Sequence, residues 1–478
     1  MTNYSKIIQN NDYQILFLDF ILIVLCLFFT STALVDDLEH LRASYFVSQG
    51  YIPYRDFFEH HHPLIWYIFA PIIKFLPHNN LTTLYIAKTF ASMFSVGSTY
   101  LIYIISKKFF GGKKVAITTL LIYFMYYPSL YTFSAFKPDT FARFFYLLGL
   151  YNFFLYTSQK KTKNMVITGI SLTISFLFLQ TTLFVITPLL IPLCYFLYKN
   201  KQLIKNFILA IIPALLIIIS FTFFLYYNQT LEQYFQLNWI FNSYLYKIII
   251  YSRDNSIYSF AIFLSLPFIL YFFNKKQRKN FFINSLFIVF CFELIKNLYY
   301  STHLPHYLVY IFLFSSVITS SLKFQLHILN KIKLNILFII MIVLNLISLC
   351  LNNSSMLKKY YKILQPTDTY VLYHGDTINI YAPKTSYYWF NPQLEGIDNG
   401  IFKRFPDYNI NEFIKSNNIT YIIGIGNINK LSTNLPQIFD VNIYNNHILD
   451  VNILNNYKKI LPHMYKLQEP FSKENNFE

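Results

Sequence analysis

Long apolar runs separated by short polar segments fill the first three quarters of the chain. Because a helix needs roughly 20 apolar residues to cross a bilayer, these runs predict about eleven membrane-spanning helices. They lie near 14–35, 85–106, 115–133, 140–157, 165–180, 183–198, 207–227, 257–273, 281–298, 307–322 and 334–351. The stretch 63–77 is apolar but short and bounded by prolines, so we expect a helix lying at the membrane interface.

The pattern changes after residue 353. Apolar runs shorten to strand length at 370–373 and 419–423, and a helix-like stretch lies between them at 411–415. We therefore expect an all-α membrane bundle over residues 1–352, whose first outer loop spans 36–84. A small extracytoplasmic α/β domain is expected over residues 353–478.

Composition supports a membrane protein. Charged residues make up 13% of the chain and mean hydropathy is +0.39, whereas soluble proteins have about 25% charged residues. The net charge of +17 does not indicate nucleic acid, because the lysines cluster in short tracts between apolar runs. These tracts occupy alternate loops, so the positive-inside rule places the N-terminus in the cytoplasm and the C-terminal domain outside.

Carboxylates and histidines concentrate in the first outer loop, directly after the first apolar run. Such groups at a membrane surface are costly unless they bind something, so this loop is expected to be the functional centre. The carboxylates are Asp36, Asp37, Glu39, Asp56 and Glu59, and the histidines are His40, His60, His61 and His62.

Two interpretations of the acidic start of this loop remain open. The residues at helical spacing are Leu38, Leu41, Tyr45 and Phe46, which predict an amphipathic helix ending near Gly50. Asp36 could cap this helix while Glu39 reaches back. Alternatively, an aspartate there serves as a general base or holds a divalent metal.

The histidine tract also has two interpretations. It is either surface decoration or part of a metal site. Pro63 favours an extended His62, so the three rings cannot share one helix face. One or two of them could still meet Glu59 and an aspartate around zinc or manganese.

Three elements together resemble a known family. They are Asp36-Asp37 followed by the loop Gly50 to Leu64 (GYIPYRDFFEHHHPL), Lys137-Pro138-Asp139, and His306-Tyr307-Leu308. This order resembles GT-C membrane glycosyltransferases, in particular the bacterial branch of the protein-mannosyltransferase superfamily. That branch includes the aminoarabinose and galacturonic-acid transferases of lipopolysaccharide.

The resemblance implies inverting transfer of a sugar from a polyprenyl-phosphate monosaccharide to a glycolipid, glycan or protein. The reaction would take place on the outer face of the bacterial cytoplasmic (inner) membrane. Asp36 or Asp37 would activate the acceptor hydroxyl, and Asp139 would complete the acidic cluster. Asp36, Glu59 and His60 would hold a divalent metal (Mg, Mn or Zn), and Glu59 and His60 could instead bind acceptor groups. The aminoarabinose branch has lysine where this chain has His60, so the resemblance carries no phosphate contact over to His60.

The leaving phosphate needs cationic stabilisation. The outer-side candidates are Lys137, Arg143, Arg42, Arg55, His303 and His306. Lys137 and Arg143 could instead anchor span ends at the membrane interface. The segment 228–256 mixes aromatic and polar residues, which is typical of an interfacial aromatic belt and also compatible with a flexible lid.

Two other functions compete with glycosyl transfer. A transporter or flippase should place ionisable residues near the midplane and show repeat symmetry. Here Glu293 and Lys296 are the nearest exception, one helical turn apart, and no inverted repeat is evident. A polysaccharide polymerase or ligase has its main outer loop late in the chain. The sequence therefore favours the glycosyltransferase.

Overall fold

The computed structural model describes residues 35–126, 129–130, 132–200, 203–245, 261–273, 279–300, 305–323, 343, 359–360, 362–365, 368–372, 379–382, 384, 387–389, 392–404, 410–423, 453, 455–461 and 464–471. These residues are mostly helical and form two compact units. The helical unit comprises the described parts of 85–224 and 245–354, and the mixed unit those of 33–84, 225–244 and 355–478. The predicted spans near 14–35 and 334–351 lie outside the described residues, apart from residues 35 and 343.

Fourteen α-helices are described. In chain order they are α1 (Val35–Ser48), α2 (Leu64–Lys74), α3 (Asn80–Phe109), α4 (Lys113–Met125), α5 (Pro138–Gln159), α6 (Thr162–Phe178), α7 (Leu183–Lys199), α8 (Leu203–Tyr227), α9 (Leu231–Phe235), α10 (Ala261–Phe273), α11 (Phe281–Tyr300), α12 (Pro305–Lys323), α13 (Pro392–Phe402) and α14 (Ile410–Ser416). A 3₁₀ turn, Gln180–Thr182, precedes α7, and a π-helical turn, Gln236–Phe241, follows α9.

Helices α3 to α8 and α10 to α12 match predicted spans. Three described stretches are long and apolar enough to cross a membrane: Asn80–Phe109, Gln180–Lys199 and Lys205–Tyr227. Large apolar side chains along α8, including Ile212, Leu216 and Ile219, are exposed. An apolar helix that leaves such side chains uncovered is suited to contact lipid.

One predicted span boundary differs from the structure. The spans predicted at 165–180 and 183–198 are two helices, α6 and α7, separated at the 3₁₀ turn as expected. The span predicted at 115–133 is shorter, because α4 ends at Met125. Pro128 follows three residues later in the sequence, and helices usually end before a proline because its ring disfavours helical backbone at the preceding residue.

The mixed unit contains a four-stranded sheet together with α1, α2, α9, α13 and α14. The strands are β1 (Tyr370–Leu372), β2 (Tyr421–Ile423), β3 (Tyr457–Leu461) and β4 (Met464–Leu467), in the order β1-β2-β4-β3. Strands β1 and β2 pair in parallel, and the other two pairs are antiparallel. The predicted strands near 370 and 421 and the helix near 411 are therefore confirmed. This unit combines the first outer loop with the described C-terminal residues.

Candidate active site in the first outer loop

Helix α1 carries the acidic start of the loop. Asp36 and Asp37 lie in its first turn, where the partial positive charge of a helix N-terminus favours carboxylates. Asp37 is fully buried and Asp36 is half-buried. The predicted amphipathic helix is corrected in one respect. Its polar residues Glu39 and His40 are also buried, because other parts of the mixed unit cover them.

Four side chains form a compact group, called the Glu–His group below: Glu39, Glu59, His60 and His61. One potential ligand atom from each lies within 4.8 Å of those of the other three. The His61 Nδ1 atom is 2.7 Å from Glu59 Oε1 and 3.3 Å from Glu39 Oε1. Glu59 Oε1 also accepts a hydrogen bond from the His60 backbone N–H at 2.9 Å. Of the three predicted metal ligands, the group contains Glu59 and His60 but lacks Asp36. Glu39 and His61 complete it.

Burial controls the charges in this group. Burial, together with the charge of Glu59, raises the pKa of Glu39 to about 8. Burial opposes a charge on His61, but its hydrogen bonds to Glu39 and Glu59 outweigh this and raise the pKa of His61 well above 6.5. Burial and the neighbouring His61 lower the pKa of His60 well below 6.5. At neutral pH, His61 is therefore an imidazolium between two carboxyl groups, and His60 is neutral.

Asn242 fixes the tautomer of His60. Its amide nitrogen donates to the carbonyl oxygens of His60 at 2.8 Å and Asn238 at 3.1 Å. Two carbonyl acceptors require the NH₂ group there, so the amide oxygen faces His60 Nδ1, 2.8 Å away. That oxygen accepts the Nδ1–H, which leaves the Nε2 lone pair of His60 free for a metal or a donor.

The three consecutive histidines have separate partners, as Pro63 led us to expect. His60 pairs with Asn242, His61 with the two glutamates, and His62 Nε2 with the Tyr234 hydroxyl at 3.0 Å. Residues Asn242 and Tyr234 come from the segment 228–256, of which 228–245 are described. The aromatic belt or lid expected in this segment stays a prediction, since Phe235 and Tyr244 are exposed, but the segment also has a buried side. Its buried side chains pack against the histidine tract.

C-terminal residues brace the same loop. The Trp389 indole N–H donates to the Phe58 carbonyl at 2.7 Å, and the Phe58 N–H donates to the Tyr387 carbonyl at 2.8 Å. Arg42 donates to the Asn379 carbonyl at 2.5 Å, and its guanidinium carbon lies 5.5 Å from the centre of the Trp389 ring. This packing explains why Arg42 is buried and makes it a poor phosphate ligand. None of these contacts had a signal in the local sequence.

Arg55 is exposed and forms an ion pair with Asp56, the two side chains meeting at 2.9 Å. It therefore lies outside the buried Glu–His group, although it belongs to the same loop.

The remaining predicted residues belong to the helical unit. Lys137 directly precedes α5, and Asp139 lies half-buried in its first turn. Lys137 and Arg143 are 4% and 3% exposed, which contradicts interfacial anchoring because anchoring side chains extend their charge to water. His306 lies in the first turn of α12, and His303 lies outside the described residues. Sequence reasoning missed a further buried cation, Lys88.

Comparison with known proteins identifies the architecture. The family model for dolichyl-phosphate-mannose-protein mannosyltransferases matches residues 60–227. The resemblance to GT-C membrane glycosyltransferases is confirmed. A similar solved structure is ArnT from Cupriavidus metallidurans bound to undecaprenyl phosphate, with a TM-score of 0.56 over 77% of this chain and 84% of that chain. At 10% identity, this likeness establishes a shared fold. No curated protein sequence matches the chain.

Proposed function

We propose that the chain is an inverting glycosyltransferase that moves a sugar from a polyprenyl-phosphate monosaccharide to a cell-envelope acceptor. The observation that carries the proposal is the ArnT-like fold over 77% of the chain, since that ArnT structure holds undecaprenyl phosphate. The family match over residues 60–227 supports the same reaction class. The acceptor is a glycolipid, glycan or protein on the outer face of the inner membrane, and the N-terminus is cytoplasmic.

The first outer loop supplies the base in this proposal. An acceptor hydroxyl attacks the anomeric carbon while the bond from that carbon to the phosphate oxygen breaks, which inverts the configuration and releases polyprenyl phosphate. A carboxylate must take the proton of the hydroxyl. Asp36 is half-buried and remains accessible, whereas Asp37 is fully buried. We therefore assign the proton transfer to Asp36 and a positioning role to Asp37. A role for Asp139 rests on the resemblance.

The Glu–His group fits a divalent metal. Glu59 Oε2 is buried and has no hydrogen-bond partner among the described residues, and the Nε2 lone pair of His60 is available. Two carboxylates and two imidazoles are a suitable ligand set for zinc or manganese. A bound metal would polarise an acceptor hydroxyl. When no metal is bound, the proton on His61 balances the charge of Glu59, and Glu39 keeps its own proton at neutral pH.

Buried cations supply the phosphate site in this proposal. Lys137 and Arg143 lie at the start of α5, and charge-assisted hydrogen bonds from such groups stabilise a leaving phosphate. His303 and His306 remain candidates for the same role. Arg42 and Arg55 are weaker candidates in this proposal, because Arg42 is held by the Asn379 carbonyl and Arg55 pairs with Asp56.

The test is sugar transfer in membranes from a panel of radiolabelled polyprenyl-phosphate monosaccharides. Wild type is compared with Asp36→Asn, Asp37→Asn and the matched control Asp56→Asn, which alters an aspartate of the same loop outside the Glu–His group. We expect transfer by wild type and by the control, and a loss of at least about 100-fold in Asp36→Asn, as for a general base. Equal transfer by all four proteins would refute the mechanism. Absence of transfer together with lipid export would favour a flippase.

A further inference from the structure

A second cluster of polar side chains is buried in the helical unit. It consists of Tyr146 on α5, Glu293 on α11 and Tyr310 on α12, and is called the Tyr–Glu group below. All three residues are buried, and Tyr146 and Glu293 are fully so. The Tyr146 and Tyr310 rings meet edge to face, with centroids 5.6 Å apart. The Tyr310 hydroxyl interacts electrostatically with Glu293, Arg143 and Asp139.

These residues lie at a common depth. Tyr146 and Tyr310 follow the starts of α5 and α12 by eight and five residues, and Glu293 precedes the end of α11 by seven. At 1.5 Å per residue, each lies about 7–12 Å from the helix end nearer to it. The positive-inside rule assigns these three helix ends to the outer side. The group is therefore about two helical turns below the surface from which a membrane-soluble donor would present its sugar.

The hydrogen-bonding capacity of the group is only partly used. Lys296 donates to Glu293 Oε2 at 2.7 Å. Four buried atoms have no hydrogen-bond partner among the described residues: Glu293 Oε1, the hydroxyl oxygens of Tyr146 and Tyr310, and Arg143 Nε. Buried polar atoms are nearly always satisfied in folded proteins, so this concentration at one depth indicates a ligand.

Another buried carboxylate of the same protein has partners for both of its oxygens. In the mixed unit, Asp398 is fully buried, and Oδ2 accepts hydrogen bonds from Tyr388 at 2.7 Å and Arg404 at 2.8 Å. Its second oxygen, Oδ1, accepts a hydrogen bond from Arg404 Nη2 at 3.4 Å. Both oxygens of that carboxylate have partners within the fold, whereas Glu293 has one oxygen left over.

We propose that the Tyr–Glu group, with Arg143, binds the hydroxyl groups of the donor sugar and selects a neutral sugar. This inference rests on the proposed function. Sugar hydroxyls both donate and accept, and so match a carboxylate oxygen, two phenol hydroxyls and a guanidinium N–H. The nearby charges balance, since Arg143 and Lys296 offset Asp139 and Glu293. A neutral ligand suits this balance better than the ammonium of an amino sugar.

The test separates sugar recognition from lipid recognition. Purified wild type, Tyr146→Phe, Tyr310→Phe and Glu293→Gln are titrated in detergent with undecaprenyl phosphate and with undecaprenyl-phosphate hexoses, pentoses and aminoarabinose. Tyr103→Phe is the matched control. It removes the hydroxyl of another buried tyrosine, near the end of α3 that the positive-inside rule assigns to the cytoplasmic side. Melting temperatures confirm that each variant is folded.

We expect each of the three variants to lose about tenfold in affinity for the best neutral-sugar lipid, as for one lost hydrogen bond. Affinity for undecaprenyl phosphate should stay within about twofold, and the control should match wild type on both lipids.

Equal losses on both lipids, or no loss on either, would overturn the inference. Preference of the wild type for the aminoarabinose lipid would overturn the neutral-sugar assignment. If wild type binds undecaprenyl phosphate and no attached sugar raises its affinity for the lipid, the inference is overturned but the proposed function is not. Wild type that binds neither lipid overturns the proposed function as well.

Discussion

Replacing Glu39 with glutamine tests the electrostatics of the Glu–His group. Burial and the charge of Glu59 raise the pKa of Glu39 from 4.5 to about 8. The folded protein therefore keeps this proton at neutral pH, whereas the unfolded chain releases it near pH 4.5. Because the folded state binds more protons over this interval, the free energy of unfolding falls as pH rises from 4.5 to 8. Glutamine resembles the neutral carboxyl and removes this dependence.

The size of the effect follows from the shift. Each pH unit changes the free energy of unfolding by about 1.4 kcal/mol per proton, so the interval from pH 6.5 to 8 contributes about 2 kcal/mol. His60 does not interfere in this window. Burial lowers its pKa below 6.5, so its stability contribution is lost only as pH falls below that value. His61 acts in the same direction as Glu39, since its raised pKa gives stability that is complete below pH 6.5 and lost as pH rises through the raised value.

The assay is unfolding of the purified protein in detergent with a chelator present, at several pH values from 6.5 to 8. Wild type should lose about 2 kcal/mol more than Glu39→Gln over this range. Glu412→Gln, which changes an exposed glutamate of α14, should follow wild type. Parallel pH curves for Glu39→Gln and wild type would show that Glu39 is ionised in the folded protein and would refute the reasoning.

Further predictions concern metal binding and helix packing. Glu59→Gln should weaken zinc binding at least about tenfold, because it removes a ligand. Asn242→Ala should weaken zinc binding about tenfold, because the tautomer of His60 is no longer fixed. Calorimetry measures both affinities. Unchanged affinity in both would argue against a metal in the Glu–His group. Gly169→Ala should lower the melting temperature by several degrees, since its Cβ would lie 2.1 Å from the Ala210 carbonyl oxygen. Gly149→Ala is the comparison, because there the Cβ meets the movable Leu172 side chain at 2.8 Å and the nearest backbone atom, Leu172 N, lies at an ordinary 3.5 Å. Equal melting temperatures would contradict the packing argument.

Hydropathy predicts the helical part of the fold well, because the bilayer imposes a minimum length on apolar helices. It predicts the sheet only in part. Strands β1 and β2 are short apolar runs and were found, whereas the hairpin of β3 and β4 was missed. Lys458 and Lys459 are exposed on β3, so this strand lacks the apolar pattern that marks a buried one. Its position is set by pairing with β4, which local sequence does not reveal.

The candidate site shows a similar division. The carboxylates and histidines of the first outer loop were found because they are dense in an apolar chain. Asn242 was not, since it lies 182 residues from His60 and nothing in its neighbourhood distinguishes it from other asparagines.

Arg42 and Arg143 show why sequence could not rank the cations. Each is an arginine near the outer end of an apolar run, and each is buried. Arg42 donates a hydrogen bond to a backbone carbonyl and makes cation–π contacts with two aromatic rings. Arg143 meets two hydroxyls, of Thr132 and Ser95, at 3.5 and 3.2 Å, and its Nε has no hydrogen-bond partner among the described residues. The described hydrogen bonds of this buried guanidinium are long and go to neutral hydroxyls, so Arg143, unlike Arg42, has hydrogen-bonding capacity left for an incoming ligand. Only packing separates the two residues, and packing depends on contacts made across hundreds of residues.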